Sequence, residues 1–219
     1  MSEHPYARRV PWAPAREIST AALLGQVLFL VAVALGFAAM GGVLGRDLDP
    51  GTARLLSFAG FGMLIVAAFV QRLRFGSLGM GWLFATALVI GMGIGPFLNT
   101  LIEVQPGAVQ AAAGGTALTV LACGLGGFAL SRDLAPWMRP LSIAVLVLVV
   151  VSIVAVVFTS ALSPFLSLLI FGVSALLIVV DFNYLRKHGT EADAVWLATG
   201  IFVSIINIFL SLLNIFSSD

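Results

Sequence analysis

Residues Ala21 to Gly45 read AALLGQVLFLVAVALGFAAMGGVLG, 25 residues with no charged side chain. At about 1.5 Å of rise per residue, a helix of this length crosses the roughly 30 Å hydrocarbon layer of a bilayer. It is too long for the apolar core of a cleavable signal peptide, roughly 7–15 residues, and is therefore expected to be retained as a first span. The polar segment before it, Met1 to Thr20, carries Arg8, Arg9 and Arg16 and is broken by Pro5, Pro11 and Pro14.

The same pattern continues to the end of the chain. With 60% hydrophobic and only 10% charged residues, the protein has too little polar surface for a water-soluble domain. Apolar runs separated by short polar breaks predict seven helices: 20–45, 52–71, 78–99, 108–131, 138–158, 161–182 and 195–216. Helices are required because a backbone facing lipid must satisfy its own hydrogen bonds. The expected organisation is a tail over residues 1–19 and one all-α membrane domain over residues 20–219. The breaks include Arg46-Asp47-Leu48-Asp49-Pro50-Gly51, Gln71-Arg72-Leu73-Arg74, Ser131-Arg132-Asp133 and Arg186-Lys187-His188-Gly189; the weakest is Thr159-Ser160, ahead of Pro164.

Assigning Lys and Arg to alternate loops places nine of the eleven on one side: Arg8, Arg9, Arg16, Arg72, Arg74, Arg132, Arg139, Arg186 and Lys187. Only Arg46 and Arg54 fall on the other. The positive-inside rule then predicts a cytoplasmic amino terminus and, with an odd number of spans, a carboxyl terminus outside. A net charge of +1 with scattered basic residues offers no field for nucleic acid. The lone Cys123 excludes an intrachain disulfide and a CxxC pair.

Ionisable groups at bilayer depth are costly, so Asp181, near the end of the sixth span, is the first candidate for function. It reads either as a hydrated interfacial carboxylate or as half of a proton-sensitive latch with Arg72, which the topology places at the same membrane face. Desolvation and a nearby arginine would act on its protonation in opposite senses. The seventh span carries Gly200, Ser204, Asn207, Ser211 and Asn214 at offsets of 4, 3, 4 and 3, one stripe of a helix. Ser167, Ser174 and Asp181, spaced by sevens, share a face of the sixth. Facing stripes of this kind line a hydrated path or let helices pack closely. The run Gly91-Met92-Gly93-Ile94-Gly95-Pro96 lies inside a span without βαβ context, so it reads as a kink or close helix crossing and not as a dinucleotide fingerprint.

Several enzyme classes lack their required residues. The histidines, His4 and His188, lie outside the spans, which excludes an intramembrane serine protease with a histidine base. No HExxH pair supports zinc hydrolysis. The only lysine, Lys187, is in a loop, where it cannot hold retinal. No cofactor is implied and no catalysis is expected.

Four segments together resemble the Bax inhibitor-1 family of seven-span membrane proteins, and in particular its bacterial YccA-like branch, associated with the membrane protease FtsH. Gly200 to Phe216 resembles the family's last helix, Asp181-Phe182-Asn183 the end of its sixth, Gly114-Gly115-Thr116-Ala117 the opening of its fourth, and Gly91 to Pro96 its glycine-rich third. The resemblance implies six helices around a central seventh, in a bacterial inner membrane. It also implies, from members that are pH-sensitive calcium leaks, an aspartate on helix six at Asp181, a second on helix seven at the position of Ser204, and an arginine partner at Arg72. Serine in place of the second aspartate removes the coupling by which two carboxylates share a proton. It fits the FtsH-associated branch, so the leading expectation is a modulator of a membrane protease, with the polar tail as a cytoplasmic handle. The rival is a calcium or proton leak with Asp181 as its ionisable element, and a third is a membrane scaffold without transport.

Overall fold

Local chemistry marks where several of the helices begin. The computed structural model describes residues 19–159 and 163–218. The tail through residue 18, Ser160 of the weak break and the terminal Asp219 lie outside these. Ser19 caps α1 (Thr20–Gly45), its hydroxyl accepting from the Ala22 N–H at 3.2 Å. Asp49 accepts from Gly51 and Thr52, both at 3.0 Å, to start α2 (Pro50–Phe69). Proline in the first turn, where an N–H is not needed, opens α2, α4 (Pro106–Ala129) and α6 (Pro164–Lys187). The remaining helices are α3 (Gly76–Val104), α5 (Ala135–Thr159) and α7 (Ala194–Phe216). All seven are long and apolar enough to cross a membrane.

Glycines decide how closely these helices approach. On α3, Gly91 and Gly95 lie against the backbone of α1 at Ala38, Gly42 and Gly45, while Gly93 meets Ser57 of α2 on another side. A Cβ on Gly95 would stand 2.7 Å from the Gly42 carbonyl oxygen and 2.9 Å from the Gly45 carbonyl carbon. The glycine run is therefore a close crossing of three helices, and Pro96 is accommodated within α3. Phe37 and Phe84 stack across the α1–α3 contact with centroids 5.3 Å apart. On α4, Gly127 admits the Val179 backbone of α6, and Gly124 receives the Phe182 ring.

α7 is the central helix. Half of its apolar core is buried, against 11% for the described core of α5 and 17% for α2. It packs on α1, α3, α4 and α6. Its Leu197, Ile201 and Phe202 are buried with Leu23 and Val27 of α1, Leu83 of α3 and Ile178 of α6. α2 instead rests on α3, and α5 on α6.

The predicted spans agree with these helices to within a few residues, except that the third, expected over 78–99, runs on to Val104, and that the sixth changes where a polar side chain folds inward. The sixth, expected over 161–182, runs over Pro164–Lys187, because Asn183 turns into the protein instead of ending the helix. Asn183 is fully buried. The two hydrogens of its amide NH₂ are shared among the carbonyls of Gly127, Leu130 and Arg132 at 3.1–3.2 Å, and its Oδ1 accepts from the Leu134 N–H at 2.9 Å. One side chain thereby satisfies the carboxyl end of α4 and the turn into α5. Arg186 and Lys187 donate to the Leu130 and Ser131 carbonyls, and His188 contacts Asp133 at 2.9 Å. The N–H of Ala135, and then His188, hold the Asp133 carboxyl below its ordinary pKa.

Candidate functional site: a polar seam beside an apolar cavity

The two polar stripes read from the sequence face each other. α6 and α7 run antiparallel, with Tyr184 edge-on to Trp196 at one end (5.6 Å) and Asn214 donating to the Ser167 hydroxyl at 3.0 Å at the other. Between these contacts lie Ser174 and Asp181 of α6 and Gly200, Ser204, Asn207 and Ser211 of α7. Ser167, Ser174 and Ser204 have no exposed surface, Ser211 is 2% exposed and Asp181 4%.

Asp181 is the one buried acidic side chain among the described residues. Its carboxylate lies against Gly200, where a Cβ would stand 3.3 Å from Oδ2. Any larger residue at position 200 would displace it. Among the described residues the Oδ2 atom has no hydrogen-bond partner, and neither do the hydroxyls of Ser174 and Ser204 or the Asn207 amide nitrogen. Each buried polar atom left in this state costs on the order of 1–3 kcal/mol, so the seam is expensive as packing alone. The hydrated interfacial reading of Asp181 does not match this burial.

A cavity of about 460 Å³ adjoins the seam. Gly200, Asn207 and Ser211 of α7 form one wall; Phe61 and Leu64 of α2 and Val145 of α5 lie among the others. The lining is mostly apolar, and among the described residues Arg74 is the one charged side chain in it.

The structure does not bring Arg72 to Asp181. α2 ends at Phe69, and residues Gln71–Arg74 form one 3₁₀ turn on which Arg72 is exposed. Arg74 instead folds back, its Nε donating to the Ala67 carbonyl at 3.1 Å and its Nη2 to that of Ala68, so that it caps α2 while lining the cavity. Sequence spacing cannot distinguish two arginines two residues apart once the helix has ended. Ion pairs among the described residues join Arg46 to Asp47 and His188 to Asp133, both away from the seam. Among the described residues, no three His, Cys, Asp or Glu side chains gather as a metal cage. The bonding role of Asn183 does not follow from hydropathy; its signal in the sequence is an amide one turn before the basic end of an apolar helix.

Residues 20–219, all but the first nineteen, match the family model described as Inhibitor of apoptosis-promoting Bax1. No curated protein matches the chain. Seven membrane-length helices, a central seventh carrying a polar stripe, a buried aspartate on the sixth and this family match agree: the chain is a multi-pass membrane protein of the Bax inhibitor-1 family.

Proposed function

We propose that the protein is a pH-dependent leak for calcium or protons that uses the α6–α7 seam, with Asp181 as its ionisable element. The observation that carries this reading is the Asp181 carboxylate, buried among membrane helices with Oδ2 unpartnered among the described residues, one glycine away from a cavity. Carboxylates in such positions mark proton and ion pathways, because their desolvation is not maintained without a use. Ser174, Ser204 and Asn207 supply further polar atoms along the same seam. With serine at position 204, the site has one carboxylate and a hydroxyl. Its pH response then belongs to a single group and not to a pair sharing a proton.

A latch between Asp181 and Arg72 requires the turn after α2 to move toward α7. Arg74, unlike Arg72, lines the cavity that Gly200 also lines. The test is calcium influx into dye-loaded liposomes across a pH series that passes through neutrality. The expected result is a pH-dependent signal above empty liposomes; a flat trace overturns calcium as the permeant ion, and a flat trace with a pH-sensitive dye as well overturns the leak.

The second reading is a modulator of a membrane protease of the FtsH type in a bacterial inner membrane. Ser204 favours it, and the proline-broken segment before Ala21 suits a cytoplasmic handle. Deleting the residues before Glu17 should slow turnover of the protein in cells while leaving flux unchanged. Unaltered turnover argues against the handle.

A further inference from the structure

We infer that the cavity between α2 and α5 is a binding site for one anionic phospholipid, with an acyl chain in the cavity and the headgroup phosphate at Arg74. The cavity reaches the lateral surface, because Ala68 on the α2 side and Ser142 and Leu146 on the α5 side both line it and are exposed. α2 and α5 are the two flanking helices, and most of their side chains face outward into the hydrocarbon. The opening therefore faces lipid tails and not water. Its volume, about 460 Å³, falls within the roughly 300–1,000 Å³ of ordinary ligand pockets.

Charge selects the kind of lipid. Arg74 lines the cavity at the end where α2 closes, and two of its five N–H donors go to the Ala67 and Ala68 carbonyls. Arg72 is exposed on the same turn. Arg139 is exposed on α5, one turn from the cavity residue Ser142 and at the same end of the bundle. None of the three has a carboxylate partner among the described residues. Three guanidinium groups without a carboxylate partner among the described residues, one lining the cavity and two exposed at the same end of the bundle, match a phosphate attached to a hydrocarbon chain, and guanidinium binds phosphate through short, charge-assisted hydrogen bonds.

Trp196 of α7 also lines the cavity and provides a probe, because it is half-buried and a lipid chain reaches it by entering between α2 and α5. A protein with Trp12, Trp82 and Trp137 replaced by Phe would be reconstituted with phosphatidylglycerol or phosphatidylcholine carrying brominated acyl chains, and Trp196 fluorescence recorded. Brominated phosphatidylglycerol should quench it at a several-fold lower mole fraction than brominated phosphatidylcholine. Arg74→Gln should remove that preference, and Ser142→Phe, which narrows the opening, should reduce quenching by both lipids.

Should Arg74→Gln fail to fold because it loses the α2 cap, the exposed Arg72→Gln and Arg139→Gln replacements should each weaken the preference. Should the triple Trp replacement fail, the difference between the native protein and Trp196→Phe reads the same quenching. Equal quenching by both lipids overturns the headgroup assignment. Absence of quenching, or a second copy or partner helix crosslinked across the opening, overturns the lipid assignment.

Discussion

Replacing Gly95 with alanine tests whether backbone contact holds α3 against α1. The new Cβ would meet three backbone atoms: the Gly42 carbonyl oxygen at 2.7 Å, the Gly45 carbonyl carbon at 2.9 Å and the Arg46 nitrogen at 3.1 Å. Ordinary contact begins at 3.4 Å, so the closest of these falls short by about 0.7 Å. No side-chain rotation relieves the clash, and the two helices must separate. Overpacking of this kind costs roughly 1–3 kcal/mol. It is partly offset by about 0.5–1 kcal/mol from the lower conformational freedom of alanine.

Gly81, on the same helix, has no atom within 4 Å of an added Cβ, so Gly81→Ala gains the offset without the clash. The two variants should therefore differ by about 1–3 kcal/mol, the size of the overpacking penalty. Reversible unfolding in mixed detergent micelles, monitored by tryptophan fluorescence, measures this difference. If Gly95→Ala proved as stable as Gly81→Ala to within about 0.5 kcal/mol, near the ordinary scatter of a neutral substitution, the close-crossing account of the glycine run would be wrong.

Asn183→Ala removes the side chain that ties α6 to the carboxyl end of α4, leaving the Gly127, Leu130 and Arg132 carbonyls and the Leu134 N–H without that partner. At about 1 kcal/mol for each well-formed hydrogen bond, it should cost about 2–3 kcal/mol in the same unfolding measurement. Asp133, whose carboxyl is held below its ordinary pKa, stabilises the fold at pH values above the ordinary carboxylate range, and that contribution is lost as pH falls through its lowered folded value. Asp133→Asn should therefore reduce thermal stability at neutral pH and narrow the gap from the native protein in acid; a gap that widened in acid would reverse the assigned sign.

The fold was legible because hydropathy reports directly on bilayer crossing. Seven apolar runs and their polar breaks locate every helix, and the glycine run correctly announces a close crossing. The facing polar stripes could also be read, since offsets of three and four place Gly200, Ser204, Asn207 and Ser211 on one side of α7 whatever it packs against. What could not be read depends on how helices lean. The cavity exists because α2 rests on α3 while α5 rests on α6, and no residue in either helix encodes that separation alone. The choice between Arg72 and Arg74 likewise depends on a single 3₁₀ turn after Phe69, which determines which guanidinium points back.

In the proposed leak the Asp181 carboxylate, and not the seam's hydroxyls, carries the response to pH. The most direct measurement compares calcium influx into liposomes containing the native protein or Asp181→Asn, at matched protein content and across the same pH series. Asparagine preserves the size of the side chain beside Gly200 and removes its titration, so the fold should survive. The account predicts that the variant elutes as the native protein does and shows no pH-dependent flux. A folded Asp181→Asn protein whose flux follows pH as the native protein's does would contradict it.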